Sequence, residues 1–268
     1  MPNIDVDVVI VSKGDPPYLD LCLKSINTEV SFHRLIFVAN DPSNRALKLA
    51  KNYNCEVYFE NYGSLGKARE YAIKLVDCPW FLFVDDDCVL ARDFMEITKY
   101  INDDVGAIEG LNCQMNPKRR LFAEAMESLA KRFRRLRSPS KRGFTGDTLI
   151  RTEAVKDIEI PRYLKAYEDQ FIKEYIEAKG YRWVRARDRY YCYHYDFKPP
   201  MERALIAGIC GRKRGYLQTK TAILNFICVF PKVIYAWAKT GYFPLISYQI
   251  KFYLYLLLGC WWGRSAEV

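Results

Sequence analysis

Four short, mostly apolar runs alternate with segments of helical periodicity over the first 84 residues. Runs rich in β-branched and aromatic residues are typical of strands that are buried on both faces of a parallel sheet. The four runs are VDVVIVS at 6–12, RLIFVAN at 34–40, CEVYFE at 55–60 and WFLFV at 80–84. The order β-α-β-α-β-α-β predicts an α/β fold with a Rossmann-like, mostly parallel sheet flanked by helices.

Composition narrows the class of protein. Half of the 268 residues are hydrophobic and 15% are aromatic, so the composition favours a chain with a buried core over a disordered one. The net charge of +9 favours anionic partners such as nucleotides, phospholipid headgroups or nucleic acid. No helix-turn-helix, zinc or RNA-binding signature accompanies the charge, so we do not expect a nucleic-acid partner.

Three adjacent carboxylates, Asp85, Asp86 and Asp87, directly follow the fourth apolar run. The carboxyl ends of parallel strands are where such sheets bind ligands. Three like charges at the end of a buried strand are costly without a cation or hydrogen-bond donors. Their alternative role is to cap the predicted helix at 91–101, but one Asp is enough for that. In an extended chain Asp85 and Asp87 point to the same side, where oxygen ligands suit Mg²⁺ or Mn²⁺.

Further polar residues are predicted at the same edge of the sheet. The segment from Ser12 to Asp15 follows the first strand, and Asp41 follows the second. A glycine-rich turn, GSLGKARE at 63–70, leads into the third helix. It is not a P-loop, because Ala68 stands where a hydroxyl would have to bind Mg²⁺.

Two later stretches also carry chemistry. Glu168 and Asp169 precede an amphipathic helix, where acidic residues either complement the helix dipole or serve a reaction. His194 lies in the aromatic stretch RYYCYHYDF, after the predicted last strand. It is either a packed residue of that stretch or a ligand.

This ordered set resembles family 2 glycosyltransferases with the GT-A fold over roughly residues 5–197. The resemblance implies a nucleotide-diphospho-sugar donor, either a UDP- or a GDP-sugar. The residues that it assigns to the donor are Ser12, Asp15, Asp41, Lys67, Arg69, Asp85 and Asp86. It assigns Mn²⁺ or Mg²⁺ to Asp85, Asp87 and His194. The chain departs from the family pattern in SKGD after the first strand and in Glu70, where the family usually has Asn.

The resemblance also implies the reaction. In the family the acidic pair supplies the catalytic base, so Asp169 is expected to take the proton of the attacking hydroxyl and Glu168 to lie beside the acceptor. A single displacement would invert the anomeric carbon. The acceptor is a glycan or a lipid-linked hydroxyl; the alternative is a polyprenyl phosphate, which needs no base. A sugar nucleotidyltransferase is disfavoured because its glycine-rich signature is missing, and a non-catalytic membrane- or nucleic-acid-binding module is the alternative class.

The composition changes near Pro199 and Pro200, which predicts a catalytic domain at 1–198 and a helical tail at 199–268. Two aromatic-rich apolar segments follow, interrupted by polar residues and proline, so interfacial helices are favoured over a true span. A helical subdomain or an oligomer contact is the alternative. The acidic N-terminus is unlike a signal peptide, so we expect a peripheral or monotopic enzyme on the cytoplasmic face of an anionic membrane. Four lysines are expected to reach headgroups: Lys220, Lys232, Lys239 and Lys251.

Nine cysteines and two histidines bear on the redox state and on metals. The cysteine number is odd and no pair has C-x-x-C spacing, so free thiols in a reducing compartment are expected and a structural zinc site is not. A basic amphipathic helix is predicted within 116–142, and its apolar side is expected to pack on the catalytic domain.

Overall fold

The computed structural model of the protein describes residues 4–132, 142–195 and 200–265. Residues 133–141, the C-terminal part of the predicted basic helix, lie outside the described residues, as does the predicted domain boundary at 198. The described chain forms two compact units. The first contains residues 4–113, 142–164 and 168–195, and the second contains residues 114–132, 165–167 and 200–265.

The predicted alternation of strands and helices is confirmed in the first unit. Its strands are β1 (Val6–Lys13), β2 (Arg34–Asn40), β3 (Glu56–Phe59), β4 (Trp80–Val84), β5 (Cys88–Leu90), β6 (Val105–Glu109), β8 (Asp147–Arg151), β9 (Arg182–Arg185) and β10 (Cys192–His194). The short strand β7 (Asn112–Gln114) spans the boundary between the units. The α-helices of the first unit are α1 (Leu19–Glu29), α2 (Asn44–Asn52), α3 (Leu65–Leu75) and α5 (Glu168–Ala178).

Within the described residues, seven strands form the main sheet in the order β3-β2-β1-β4-β8-β6-β9. Strands β3, β2, β1 and β4 are parallel, and β8 is antiparallel to both of its neighbours. The carboxyl ends of the parallel strands therefore share one edge with the beginning of β8, where Val84 pairs with Asp147. This edge collects the polar residues that follow β1, β2 and β4, as parallel pairing requires.

The core of the first unit lies on the faces of this sheet. All five residues of β4 are buried, as are the first five of β1, which explains their nearly continuous apolar sequence. Helix α1 closes one face with Leu19, Cys22, Leu23 and Ile26, the spacing that predicted it.

The predicted helix at 91–101 is partly wrong. The three aspartates are followed by the short strand β5, and the helical segment is a 3₁₀ helix at Phe94–Tyr100. Its N-cap, Asp93, has a positive φ of 57° and makes no side-chain capping bond. The aspartates after β4 therefore do not cap this helix, and the capping alternative is excluded for them.

The second unit is built from helices α4 (Pro117–Arg132), α6 (Met201–Arg214), α7 (Thr219–Thr240) and α8 (Pro244–Ser265). Phe122 of α4 is fully buried against Val229, Val233 and Ala236 of α7. The apolar side of the basic helix was expected to pack on the catalytic domain. At Phe122 this prediction is wrong, because Phe122 packs on the tail helix α7. Gly208 of α6 and Gly259 of α8 lie so close to the opposite backbone that neither position has room for a Cβ atom.

Apolar side chains remain exposed on α7 and α8. On α7 they recur at helical spacing, with Ile227 and Ile234 each 57% exposed. Among the described helices, α7 is long and apolar enough to cross a membrane by length and composition. Lys232 was expected to reach lipid headgroups. This prediction is wrong in the structure, because Lys232 is only 8% exposed.

Asp7 provides a stability prediction. Its buried Oδ2 accepts hydrogen bonds from the backbone N–H groups of Asp77 (2.7 Å) and Cys78 (3.2 Å), and these bonds outweigh burial and lower its pKa. Asp7→Ala would leave both donors without their acceptor. We expect the free energy of unfolding to fall by about 2–4 kcal/mol, measured by chemical denaturation. The exposed Asp5→Ala is the matched control, and equal midpoints for the two variants would contradict the prediction.

Candidate active site

The aspartates after β4 lie in a tight turn. The N–H of Cys88 donates to the carbonyl of Asp85 at 3.0 Å, and the N–H of Asp85 donates to the carbonyl of Gly146 at 3.1 Å. The sequence analysis assumed an extended chain at these aspartates, and the turn shows that this assumption is wrong. The turn nevertheless brings one oxygen each of Asp85 and Asp87, and the Cys88 sulfur, within 4.8 Å of one another.

Arg69 is the buried cation of the site. It lies on α3 and is 5% exposed. One Nη donates to Asp85 Oδ1 at 2.9 Å, and the other lies 3.3 Å from Glu168 Oε1. Burial opposes its charge, but Asp85 and Glu168 outweigh burial and raise the pKa of Arg69. Two predicted groups, the strand-end aspartates and the later acidic pair, are thus joined through one guanidinium.

Ser12 and Asp86 form a second contact at this edge. The hydroxyl of Ser12, near the end of β1, donates to Asp86 Oδ2 at 2.6 Å. Because β1 and β4 are adjacent and parallel, the residues that follow them meet without any long side chain.

The acidic pair begins helix α5, and both members are buried: Glu168 is 4% and Asp169 5% exposed. Arg142 holds Asp169, with its Nε 3.1 Å from both carboxylate oxygens. Burial raises the pKa of Asp169 to about 6, and the Glu168 charge adds to this effect while Arg142 opposes it. A carboxyl group with such a pKa can accept a proton near neutral pH.

His194 ends β10, which pairs with β5 so that His194 lies opposite Cys88. Its Nδ1 is 3.6 Å from Asp87 Oδ1. Burial opposes a charge on the imidazole, but Asp87 and Cys88 raise the pKa of His194 to about 11. The tertiary fold therefore brings His194 to Asp87, although the two are far apart in sequence.

Asp15 and Asp41 lie in the neighbouring loops. Asp15 accepts hydrogen bonds from Ser43 Oγ and from Arg45 Nε, both at 2.8 Å, which ties the loop after β1 to the loop after β2. Asp41 is exposed and has a positive φ of 47°. Neither carboxylate touches the aspartates after β4 through a described hydrogen bond.

Lys67 is oriented differently from Arg69. Its Nζ donates to Glu70 Oε2 at 2.6 Å, and Glu70 also accepts from the N–H of Ile160 at 2.7 Å. Positions two apart on a helix face different sides. The structure therefore brings Arg69, but not Lys67, to the aspartates.

Sequence analysis missed three residues of this site: Arg142, Gly146 and Asp147. Gly146 lies against Asp85, and a Cβ there would be 2.5 Å from Asp85 Oδ2. Asp147 is fully buried, its oxygens have no hydrogen-bond partner among the described residues, and burial raises its pKa to about 8. A signal was present in GFTGDTLIR, where glycine and Asp precede an apolar strand.

The Asp85, Asp87 and His194 donors fit a hard divalent cation. Carboxylate oxygens suit Mg²⁺ and Mn²⁺, and an imidazole nitrogen is also an accepted ligand of first-row metals. The negative charge of the turn is only partly offset by Arg69, which leaves an electrostatic attraction for a cation.

Residues 7–108 match the family model described as Glycosyl transferase family 2. None of the curated proteins matches the chain.

Several solved structures have a similar fold. The mannosyltransferase PcManGT from Pyrobaculum calidifontis, in complex with GDP-Man and Mn²⁺, has a TM-score of 0.66 and 12% identity, covering 99% of this chain and 88% of that one. The glucosyl-3-phosphoglycerate synthase from Mycobacterium tuberculosis, in complex with Mn²⁺, UDP and glucosyl-3-phosphoglycerate, has a TM-score of 0.55 and 11% identity, covering 78% of each chain. TarS from S. aureus has a TM-score of 0.54 and 17% identity; the match covers 84% of this chain but spans 42% of the TarS chain.

At these identities the similarity between structures establishes the fold, while the family match covers the strand that contains Ser12 and the strands that precede Asp41 and Asp85. The resemblance drawn from the motifs is therefore confirmed as a match to the family 2 glycosyltransferase model over residues 7–108, on the predicted GT-A fold.

Proposed function

We propose that the protein is a metal-dependent, inverting glycosyltransferase that moves a sugar from a nucleotide-diphospho-sugar to a hydroxyl of a glycan or lipid-linked acceptor. The observation that carries the proposal is the buried Arg69, which contacts both Asp85 and Glu168. This guanidinium links a donor-side carboxylate to the acidic pair that would serve the acceptor. A transfer reaction needs both groups within one site.

On the donor side, Asp85, Asp87 and His194 would hold Mn²⁺ or Mg²⁺. When bound, the cation supplies positive charge that stabilises the leaving nucleoside diphosphate. Ser12 and Asp86 orient each other through their hydrogen bond and would contact the nucleotide, and Asp15 and Asp41 belong to the loops that would face its base. We also propose Lys67 as a contact of the sugar-nucleotide donor. Its Nζ would first have to break its hydrogen bond to Glu70.

On the acceptor side, Asp169 would accept the hydroxyl proton as the oxygen attacks the anomeric carbon. A sugar hydroxyl has a pKa far above 7, so a carboxylate must remove its proton during the attack. Glu168 remains paired with Arg69 and lies next to the base. Since the attack comes from the acceptor directly, one displacement inverts the anomeric centre.

The donor is tested directly. Full-length protein is incubated with a panel of UDP- and GDP-sugars, Mn²⁺ and lipid extracts, and products are identified by mass spectrometry. Both bases belong in the panel because similar structures contain UDP or GDP-Man. Absence of nucleotide binding, donor hydrolysis and transfer across the panel would reject the proposal and favour the non-catalytic, basic membrane- or nucleic-acid-binding module.

The membrane role rests on α7 and α8. Exposed apolar side chains recur along both helices, and Trp261 and Trp262 are more than half exposed near the end of α8. Aromatic residues of this kind favour the headgroup region of a bilayer. We infer that the second unit binds the cytoplasmic face of an anionic membrane as an interfacial element, which suits a lipid-linked acceptor.

The cation site gives the first functional prediction. Asp87→Ala removes one proposed ligand, so we expect Mn²⁺ affinity, measured by calorimetry with nucleoside diphosphate present, to fall by at least about tenfold. Asp103→Ala is the control, since Asp103 is an exposed carboxylate outside the site. Unchanged Mn²⁺ affinity in Asp87→Ala would place the cation elsewhere.

The pH dependence tests the base. With the pKa of Asp169 at about 6, the carboxylate is deprotonated above that pH and can accept a proton. We expect kcat to fall as the pH drops through about 6, and Asp169→Asn to lose about 10²-fold or more together with this pH dependence. Glu177→Gln, on the exposed side of the same helix, is the control. Retention of most of the rate in Asp169→Asn would favour the polyprenyl phosphate acceptor, whose nucleophile is already ionised.

The membrane inference is tested without truncation, because removing the tail would expose Phe122. Ile227→Glu with Ile234→Glu adds two charges to the exposed apolar stripe of α7. We expect full-length protein to sediment less with anionic liposomes, since buried charge is disfavoured in a bilayer interface. Phe59→Glu is the control, as Phe59 is 65% exposed in the first unit. Equal sedimentation of the double variant and the wild type would contradict binding through this stripe.

A further inference from the structure

Two thiols and the His194 imidazole face one another in the small sheet β5-β10-β7. His194 lies opposite Cys88 in the antiparallel pair, and Cys192 precedes His194 by two residues on β10. Residues two apart on a strand share one face of the sheet. The fold therefore gathers Cys88, Cys192 and His194 on one face, although no motif in the sequence links them.

The spacing of these groups matches a tetrahedral metal centre. Cys88 Sγ is 3.3 Å from His194 Nε2, and one atom from each of the three residues lies within 4.8 Å of the others. Zinc binds thiolate sulfur at about 2.3 Å and imidazole nitrogen at about 2.0–2.1 Å, so a tetrahedral angle separates sulfur and nitrogen by about 3.5 Å. The side chains need little rearrangement to bind such an ion.

The chemistry of this face differs from that of the aspartate turn. Thiolates are soft ligands that select zinc over Mg²⁺ or Mn²⁺, which prefer oxygen. Cys88 and Cys192 are fully buried, while the His194 side chain is 16% exposed. If Nε2 binds the ion, Nδ1 is left to donate to Asp87, an arrangement in which carboxylates commonly support zinc-bound histidines.

We propose that Cys88, Cys192 and His194 form a site for Zn²⁺, and that Zn²⁺ bound there excludes the hard cation from Asp85 and Asp87. A neutral imidazole has one nitrogen lone pair for a metal, so His194 would ligate one ion at a time, and its N–H would draw Asp87 towards the ring. A fourth position remains for water or a carboxylate. The exclusion rests on the proposed function of Asp85, Asp87 and His194, whereas the thiolate site itself does not.

The thiolate site is tested with Co²⁺ as a spectroscopic substitute for Zn²⁺, on full-length reduced protein without nucleotide. We expect a thiolate-to-cobalt charge-transfer band and intense tetrahedral d–d bands, both abolished by excess Zn²⁺. Cys192→Ser should lose the charge-transfer intensity and weaken Zn²⁺ binding by at least about tenfold in a chelator competition. Cys55→Ser, a half-buried thiol of the same unit outside the cluster, should match the wild type.

Circular dichroism verifies the fold of each variant, and Cys88→Ser serves as a second ligand variant if Cys192→Ser does not fold. Cobalt bound without a charge-transfer band, or a band that survives in the folded ligand variant, would overturn the site.

Exclusion is measured separately from catalysis. Bound Mn²⁺ is silent or broadened in electron paramagnetic resonance, so its release by Zn²⁺ appears as the signal of free Mn²⁺. We expect Zn²⁺ to release Mn²⁺ from the wild type, and Cys192→Ser to require at least about tenfold more Zn²⁺. Mn²⁺ that stays bound while the cobalt-competent site is filled with Zn²⁺ would overturn the exclusion. Protein with the cobalt bands but no Mn²⁺ binding would instead count against the proposed function.

Discussion

The ion pairs of Arg69 are the interaction on which the candidate site depends. Several carboxylates converge at the edge of the sheet, and two of them, Asp85 and Glu168, contact different nitrogens of one buried guanidinium. A buried charge is costly unless it is paired and hydrogen-bonded, so the two carboxylates stabilise the Arg69 charge, and losing Arg69 would remove the ion pair of the buried Glu168. The same contact fixes the start of α5 relative to the turn after β4. The geometry of the candidate site and the packing of the fold thus share one contact.

A second cation, Arg142, plays the corresponding role for Asp169. It contacts both carboxylate oxygens and offsets the burial that would otherwise keep the acid protonated. Asp147 shows what happens without such a partner: it is fully buried and its pKa is raised to about 8. The pKa of Asp169, whose carboxylate is bonded to Arg142, is therefore lower than that of Asp147, whose oxygens have no hydrogen-bond partner among the described residues. A difference in pKa between carboxyl groups of one site is what allows them to take different roles.

The organisation of the chain also bears on how the tail is understood. The basic helix α4 comes before β8 in sequence but packs on α7 through Phe122. The second unit is therefore assembled from an insertion and the C-terminal helices. The division of the chain at residue 198 stays a prediction. The compact units do not follow chain order, because the second unit also takes in residues that precede 198. Removing the tail at Pro200 would take away the partners of α4 along with the exposed apolar stripe.

The sequence by itself determined the alternation of strands and helices, the parallel part of the sheet and the position of Ser12, Asp41 and Asp85 after their strands. These follow from local patterns, because a buried strand must be apolar and a parallel strand must end at the same edge as its neighbours. What only the tertiary structure decided was which side chains meet: Arg69 rather than Lys67 at Asp85, Arg142 at Asp169, and Cys88 beside Cys192 and His194. The physical reason is that side-chain pairing depends on strand order, on register and on the face of a helix, and residues far apart in sequence carry no local signal of these contacts.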